Sequence, residues 1–345
     1  MPHLFDPLAL RGIELRNRIA MSPMCMFSAG TDGRATPFHF AHYGARAVGG
    51  VGLIVVEATA VEARGRITEG DLGLWEDSQI EPLAAIVRFC HEHGARIGVQ
   101  LGHAGRKAWS DQRGVGSEEA VAPSAVPFDE GWAPPRALDD RGISGVLGAW
   151  RQATRRALAA GFDLVEIHGA HGYLVSQFLS PLPNRREDEY GGSRRQRARF
   201  AREVIGAVRV EWPERLPLGI RLSCTDWAPG GNTVEDAVEF ARVFREDGVD
   251  LIDCSSGGVV SVQPRTAPGY QVPFAERIRR EAGVKTMAVG LITAPEQAEE
   301  IVGNGRADVV ALGRELLRSP YWPLGAARAL GVDVEWPKPY RGGKR

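Results

Sequence analysis

The stretch HGAHGY, residues 168–173, sets His168 and His171 three positions apart and Tyr173 two positions further on, directly after the apolar run DLVEI (163–167). Three chemistries suit these residue types at this spacing. A histidine pair can ligate a metal; two imidazole N–H groups can hold a developing oxyanion; and a phenol, with a pKa of about 10, carries a proton at neutral pH that it can donate. A metal would need a carboxylate or thiolate at ligand spacing, and the sequence supplies no such pattern. Two other residues invite chemistry. Arg221 lies inside the apolar run PLGIRLS (217–223), where a charge requires a partner. That partner is either a barrel carboxylate such as Glu57 or an anionic cofactor. Cys25, in SPMCMF (22–27), is either a small buried thiol or a group that tunes a cofactor.

The elements that must position these residues follow from the hydrophobic pattern. Continuously apolar runs at 18–24, 52–58, 96–102, 163–169, 217–223, 250–256, 285–290 and 308–313 read as strands buried on both faces of a parallel sheet. Amphipathic stretches at 37–49, 79–94, 146–161, 194–212, 233–248, 273–283 and 294–305 read as the helices between them, several stopped by glycine. Eight strands alternating with helices predict a single-domain α/β chain over residues 1–345, a (β/α)8 TIM barrel, with extended loops at 104–143 and 169–193 after strands three and four. The glycines at 49–52 precede a strand and end a helix. A dinucleotide-binding loop would follow the strand, so they do not form one.

Composition excludes more than it selects. The 345 residues carry 42 Lys and Arg against 43 Asp and Glu, a formal charge of −1, which gives no electrostatic reason to expect nucleic acid or a membrane surface as partner. Cys25, Cys90, Cys224 and Cys254 are too scattered for a metal or iron–sulfur motif and point to a reduced, cytoplasmic setting. There is no secretory signal at the start and no apolar run long enough to span a bilayer.

In a barrel, polar and special residues at the carboxyl ends of strands build the site. Those ends are Ser22-Pro23-Met24-Cys25, Glu57-Ala58, Gln100 with His103, His168 with His171, Arg221, Ser255-Ser256, Gly290, and Gly313-Arg314. The last two sit where barrels commonly bind phosphate, with glycines that admit close backbone approach and one fixed cation.

Taken together, SPMCMF and ATPFHFAHYGARA (within 22–47), QLGHAGRKA (100–108), HGAHGYLVSQFLSPLPNRREDEYGG (168–192) and ALGRELLRSPYW (311–322) resemble the old yellow enzyme family of FMN-dependent ene-reductases, in particular its thermophilic-like class. The resemblance runs from about residue 3 to the carboxyl terminus. It implies tightly but non-covalently bound FMN held by Ser22, Pro23, Met24, Cys25, Ala58, Gln100, Arg221, Gly290, Gly313 and Arg314, with NADPH or NADH as hydride donor. It implies that His168 and His171 hold the oxygen of an activated alkene, nitro compound or quinone, that Tyr173 is the proton donor, and that Lys107 is a secondary contact.

Phe27 stands where members of this class often carry tyrosine, so one hydrogen bond to substrate is expected to be missing. In similar proteins an arginine before a glycine in the terminal segment reaches a neighbouring subunit. Here Arg341 or the nearby Trp336, both in 331–345, is expected to do so, and a homodimer or homotetramer is implied. Flavin barrels that reduce uridine in tRNA and the longer dienoyl-CoA reductases share the barrel. The first would want a basic surface, the second clustered iron–sulfur cysteines, and this sequence has neither. Within the loop, Asn184, Arg186 and Asp188 are expected to brace it, and Arg194 to Arg199 to form a solvated face.

Overall fold

A computed structural model describes residues 2–108, 119–262 and 264–344. Eight strands close into a parallel barrel: β1 (Ile19–Met21), β2 (Leu53–Ala60), β3 (Arg96–Gly102), β4 (Leu164–Gly169), β5 (Leu218–Ser223), β6 (Leu251–Ser255), β7 (Lys285–Val289) and β8 (Val309–Leu312). Each pairs with its sequence neighbours, and β8 returns to β1. This is the (β/α)8 architecture expected from the unbroken apolar runs. Side chains on both faces of every central strand are buried, inside the barrel or under the helices. Each Val, Ile or Leu fully removed from water there contributes about 1.5–3 kcal/mol.

The connecting helices start where capping chemistry allows. Helix Pro37–Val48 has Thr36 at its N-cap and proline in its first turn. His39 supplies the return bond of the capping box, its Nδ1 accepting from the Thr36 amide at 3.0 Å. The third helix begins at Asp140, earlier than the apolar pattern predicts. Asp139 caps it by accepting from the Gly142 amide at 2.7 Å, and the glycines at 142, 145 and 148 mask its first turns from a periodicity reading. The run expected as one helix at 194–212 divides into Arg194–Arg197 and Arg199–Glu211. Strand β1 stops at Met21, short of the expected 24, because Pro23 has no amide for a ladder.

One expectation for polar residues needs correction. Arg197 is not on a solvated face: it is buried, and donates to the carbonyls of Leu179 (2.9 Å) and Gly192 (2.7 Å). Asn184 braces the long loop as expected, its amide donating to Phe178 O and Tyr190 O, both at 2.8 Å. Part of the loop expected at 104–143 lies outside the described residues. Its remainder includes a short parallel pair, Val121–Ala122 with Arg136–Ala137. Helices Arg314–Arg318 and Trp322–Ala329 and an amino-terminal hairpin, Leu8–Leu10 with Ile13–Leu15, have no counterpart in the sequence reading.

Candidate active site

The segment after β1 is fixed first. Glu57 on β2 is fully buried and is not the partner of Arg221. One oxygen accepts from the Met26 amide at 2.7 Å, and the other from the Tyr43 hydroxyl at 3.0 Å, with His39 Nε2 at 3.4 Å. The capped helix therefore holds the Ser22–Phe27 loop from behind. Cys25 is half-buried at its centre. Burial, then Asp71, then Glu57 push its thiol well above the usual range, against a hydrogen bond from the Ala58 backbone and the pull of Arg221. The group is a neutral thiol, not a thiolate nucleophile.

The HGAHGY turn leaves β4 through two left-handed residues, His171 (φ +59) and Gly172 (φ +72). A Cβ at Gly172 would lie 2.2 Å from Gly258 O, so only glycine fits there. The strained His171 backbone is held from both sides: its amide donates to Ser223 Oγ at 2.8 Å, and Lys107 Nζ donates to its carbonyl at 2.9 Å. Lys107 also reaches Gly258 O (3.1 Å) and lies 4.9 Å from the centre of the Tyr173 ring. Burial, with Arg106 adding, pulls its ammonium down to about 8.

His168 Nδ1 accepts from the Ala170 amide at 3.3 Å, which leaves the proton on Nε2. Its ring stands edge-on to those of Tyr173 (4.9 Å) and His171 (5.2 Å). His171 Nε2 shares a 2.7 Å hydrogen bond with Ser255 Oγ. Burial, then Arg221, hold both imidazoles well below the usual histidine range, so both are neutral hydrogen-bonding groups rather than cations. Burial pushes the Tyr173 phenol above its ordinary value, Cys25 and Asp71 reinforcing and Arg221 opposing.

Two cavities divide these residues. The smaller is lined by Ala58, Asp71, His103, His168 and Tyr173, among others. The larger, about 960 Å³ with its solvent mouth, is lined by Ser22, Pro23, Met24, His171, Arg221, Ser255, Gly290, Gly313 and Arg314. Arg221 is buried with its Nε 2.9 Å from Asp253 Oδ2, and Asp253, not Glu57, is its partner. Its only hydrogen bond among the described residues is a long one, 3.5 Å, from Nη1 to Pro23 O. Gln100 is buried, and its Nε2 donates to Glu166 Oε1 at 2.8 Å.

Phe27 is exposed, in a left-handed conformation (φ +51), and lines neither cavity. Arg341 is exposed and pairs with Glu335 at 3.1 Å. With Trp336 it lines a separate cavity beside Asn17, Gly50 and Gly94, at the amino ends of the strands. The structure thus brings every expected site residue except Arg341 to the carboxyl end of the barrel, with Phe27 exposed there and outside both cavities. It adds Asp71, Glu166 and Asp253, which the sequence reading did not assign to the site, and gives partners to Glu57 and Ser255, which that reading placed among the strand ends. The signal for the carboxylates was present, since an acid inside an apolar run needs a reason as much as Arg221 does.

This donor set fits a planar anionic cofactor with a phosphate tail. The inner end offers a guanidinium with unspent donors and an amide whose oxygen accepts nothing among the described residues. At the outer end, Gly290 (φ +134) and Gly313 bare their backbone beside the exposed Arg314.

Comparison with known proteins agrees. Residues 3–331 match the NADH:flavin oxidoreductase / NADH oxidase family. An NADPH dehydrogenase of Geobacillus sp. (strain WCH70) is 53% identical over 343 residues, 99% of this chain and 98% of that protein. Among solved structures, morphinone reductase in complex with tetrahydroNAD superposes with a TM-score of 0.80 at 31% identity, covering 98% of this chain and 93% of that one. The old yellow enzyme homologue from Zymomonas mobilis gives 0.80 at 27%, covering 97% and 94%. A barrel matched over nearly its whole length, with its polar residues gathered at one end, leaves one assignment: the chain belongs to the old yellow enzyme family and is an FMN-dependent NAD(P)H oxidoreductase.

Proposed function

We propose that the enzyme reduces the activated C=C bond of α,β-unsaturated carbonyl or nitro compounds, quinones included as acceptors, by a ping-pong cycle in one pocket. FMN, when bound, would supply the hydride for the β carbon of the alkene, with NADPH or NADH as the donor that restores it. Ser22 to Cys25, Ala58, Gln100, Arg221, Gly290, Gly313 and Arg314 hold the cofactor.

Nε2–H of His168 donates to the substrate oxygen and stabilises the charge that develops there. His171 joins it by giving up Ser255. Tyr173 then protonates the α carbon. The environment that disfavours its phenolate keeps the proton in place until a strongly basic carbon appears. Lys107 fixes the His171 backbone and lies against the Tyr173 ring, so it positions both. The observation that carries this reading is the edge-on contact of Tyr173 with His168, whose free N–H is fixed by the Ala170 amide.

The decisive experiment is anaerobic. Purified enzyme should be yellow, bleach with NADPH or NADH and regain colour with cyclohexenone. A protein that takes up FMN but stays bleached with every enone, nitroalkene and quinone tried would end the proposal.

We further infer that the terminal segment 331–345 acts between subunits of a homodimer or homotetramer, with Arg341 serving a neighbouring site. Its place at the amino ends of its own strands, away from its own site, supports this. Truncation after residue 334 should shrink the oligomer and change the KM for enone. Unchanged size and kinetics would remove the idea.

A further inference from the structure

Inside the barrel, one step below His168, lies a polar layer to which the proposed chemistry gives no task. Glu166 is two residues before His168 on β4, so both side chains leave the same face of the strand. Parallel pairing sets Glu166 opposite Gln100 on β3 and Gly219 on β5. It sets Arg221 opposite His168 on β4 and Asp253 on β6.

Glu166 and Asp253 are both fully buried, and Arg221 is the one cation that meets either of them among the described residues. Its Nε approaches Asp253 Oδ2 at 2.9 Å, a close contact without hydrogen-bond alignment. Among the described residues Glu166 has no ion-pair partner, and its Oε1 receives only the Gln100 amide. Glu166 Oε2 and both Asp253 oxygens make no hydrogen bond among the described residues. Two carboxylates in a dry layer with one guanidinium do not both ionise, and the proton stays on the acid without the cation.

We propose that Glu166 is a positioning residue that keeps its proton at neutral pH, fixing the amide of Gln100 as a neutral acid, while Asp253 alone is the carboxylate that aims Arg221. Arg221 and Asp253 then cancel, and the layer beneath the electron-accepting group carries no net charge. An ionised Glu166 would leave one negative charge there and make reduction harder.

The charged and titratable groups around Glu166 are Arg221 on β5, Asp253 on β6 and His168 on β4. Gln100 on β3 and Met287, opposite Asp253 on β7, are uncharged. Burial, then Asp253, push the Glu166 carboxyl up to about 8, against Arg221 and Gln100. Burial raises Asp253 as well, with Arg221 opposing.

The test begins with the infrared carbonyl band of protonated carboxylic acids at neutral pH, wild type minus Glu166→Gln. Loss of one acid band in the variant is expected, and an unchanged band overturns the proposal. Two flavin readouts rest on the FMN assignment, whereas the infrared band does not, so failure of either is distinguishable. Wild type and E166Q should share one midpoint potential near neutral pH and part above about pH 8, where the wild type falls more steeply than the variant. A shift of E166Q already at neutral pH overturns the proposal. Affinity for FMN should stay within about twofold in E166Q, which preserves an acceptor for Gln100, and drop about tenfold in Glu166→Leu, which does not. Equal losses in both variants would mean a merely structural residue. If E166L fails to fold, the band and the potential decide.

Discussion

Arg46 and Arg221 are almost equally hidden, with exposures of 6% and 7%, yet they are different kinds of residue. Arg46 projects from helix Pro37–Val48 onto the chain after β8, and its guanidinium is spent on backbone. It donates to Leu316 O from Nε (3.1 Å) and Nη2 (2.8 Å), and to His42 O from Nη1 (2.9 Å). Arg221, inside the barrel, has one carboxylate contact and one long bond, and the rest of its fork faces the large cavity. Burial alone therefore does not mark a functional cation; unspent donors do.

Removing each arginine should separate the two roles most sharply. Arg221→Ala is expected to purify colourless and to lose FMN affinity by more than about 100-fold. It should also lose about 3–5 kcal/mol of stability, because Asp253 loses its partner and the layer its packed side chain. Arg46→Met should keep its colour and its FMN affinity while losing about 1–3 kcal/mol, the cost of unsatisfied buried carbonyls. Flavin fluorescence titration and denaturant unfolding measure both. Flavin loss from the Arg46 variant on the scale of the Arg221 variant would collapse the distinction.

The same contrast between spent and unspent groups runs through HGAHGY. His168 commits Nδ1 and keeps Nε2–H, and Tyr173 makes no side-chain hydrogen bond among the described residues. Tyr173→Phe should slow enone reduction by about 10²–10⁴-fold and leave the reaction of NADPH or NADH with the flavin unchanged, as stopped-flow half-reactions would show. Because both imidazoles titrate well below their usual range, they stay neutral as pH falls through 6.5, and phenol binding should show no histidine step there. A step near 6.5 would mean that one of them is not buried beside Arg221.

The barrel was legible because a strand buried on both faces leaves a continuous apolar run, and eight such runs alternate with amphipathic helices. Strand ends were legible for the same reason, which delivered Gln100, His168, Arg221 and the two glycine turns. What stayed hidden depends on register. That Arg221 meets Asp253 rather than Glu57 follows from the pairing of β5 with β6, a relation between residues 32 apart that no local pattern encodes. Arg197 reads as surface in a charged run, and only the return of the chain past Leu179 buries it. Glu166 and Asp253 sat in view inside VEI and LID, and the reasoning applied to Arg221 would have found them.

The smallest effect concerns Phe27, which lies at the rim in a left-handed conformation with 43% of its surface exposed. Its backbone is fixed by the neighbouring Met26 amide on Glu57 and by the approach of Gly70, where a Cβ would stand 2.7 Å from Phe27 O. The position is therefore set independently of its side chain. Phe27→Tyr adds a hydroxyl to a ring whose placement does not change, so the variant should fold with wild-type stability. A hydroxyl there that reaches bound substrate contributes about 1 kcal/mol, seen as roughly fivefold tighter binding of a cyclic enone with little change in turnover. Identical KM and turnover would place Phe27 outside the substrate's reach and confine recognition to the residues that keep unspent donors within the barrel mouth.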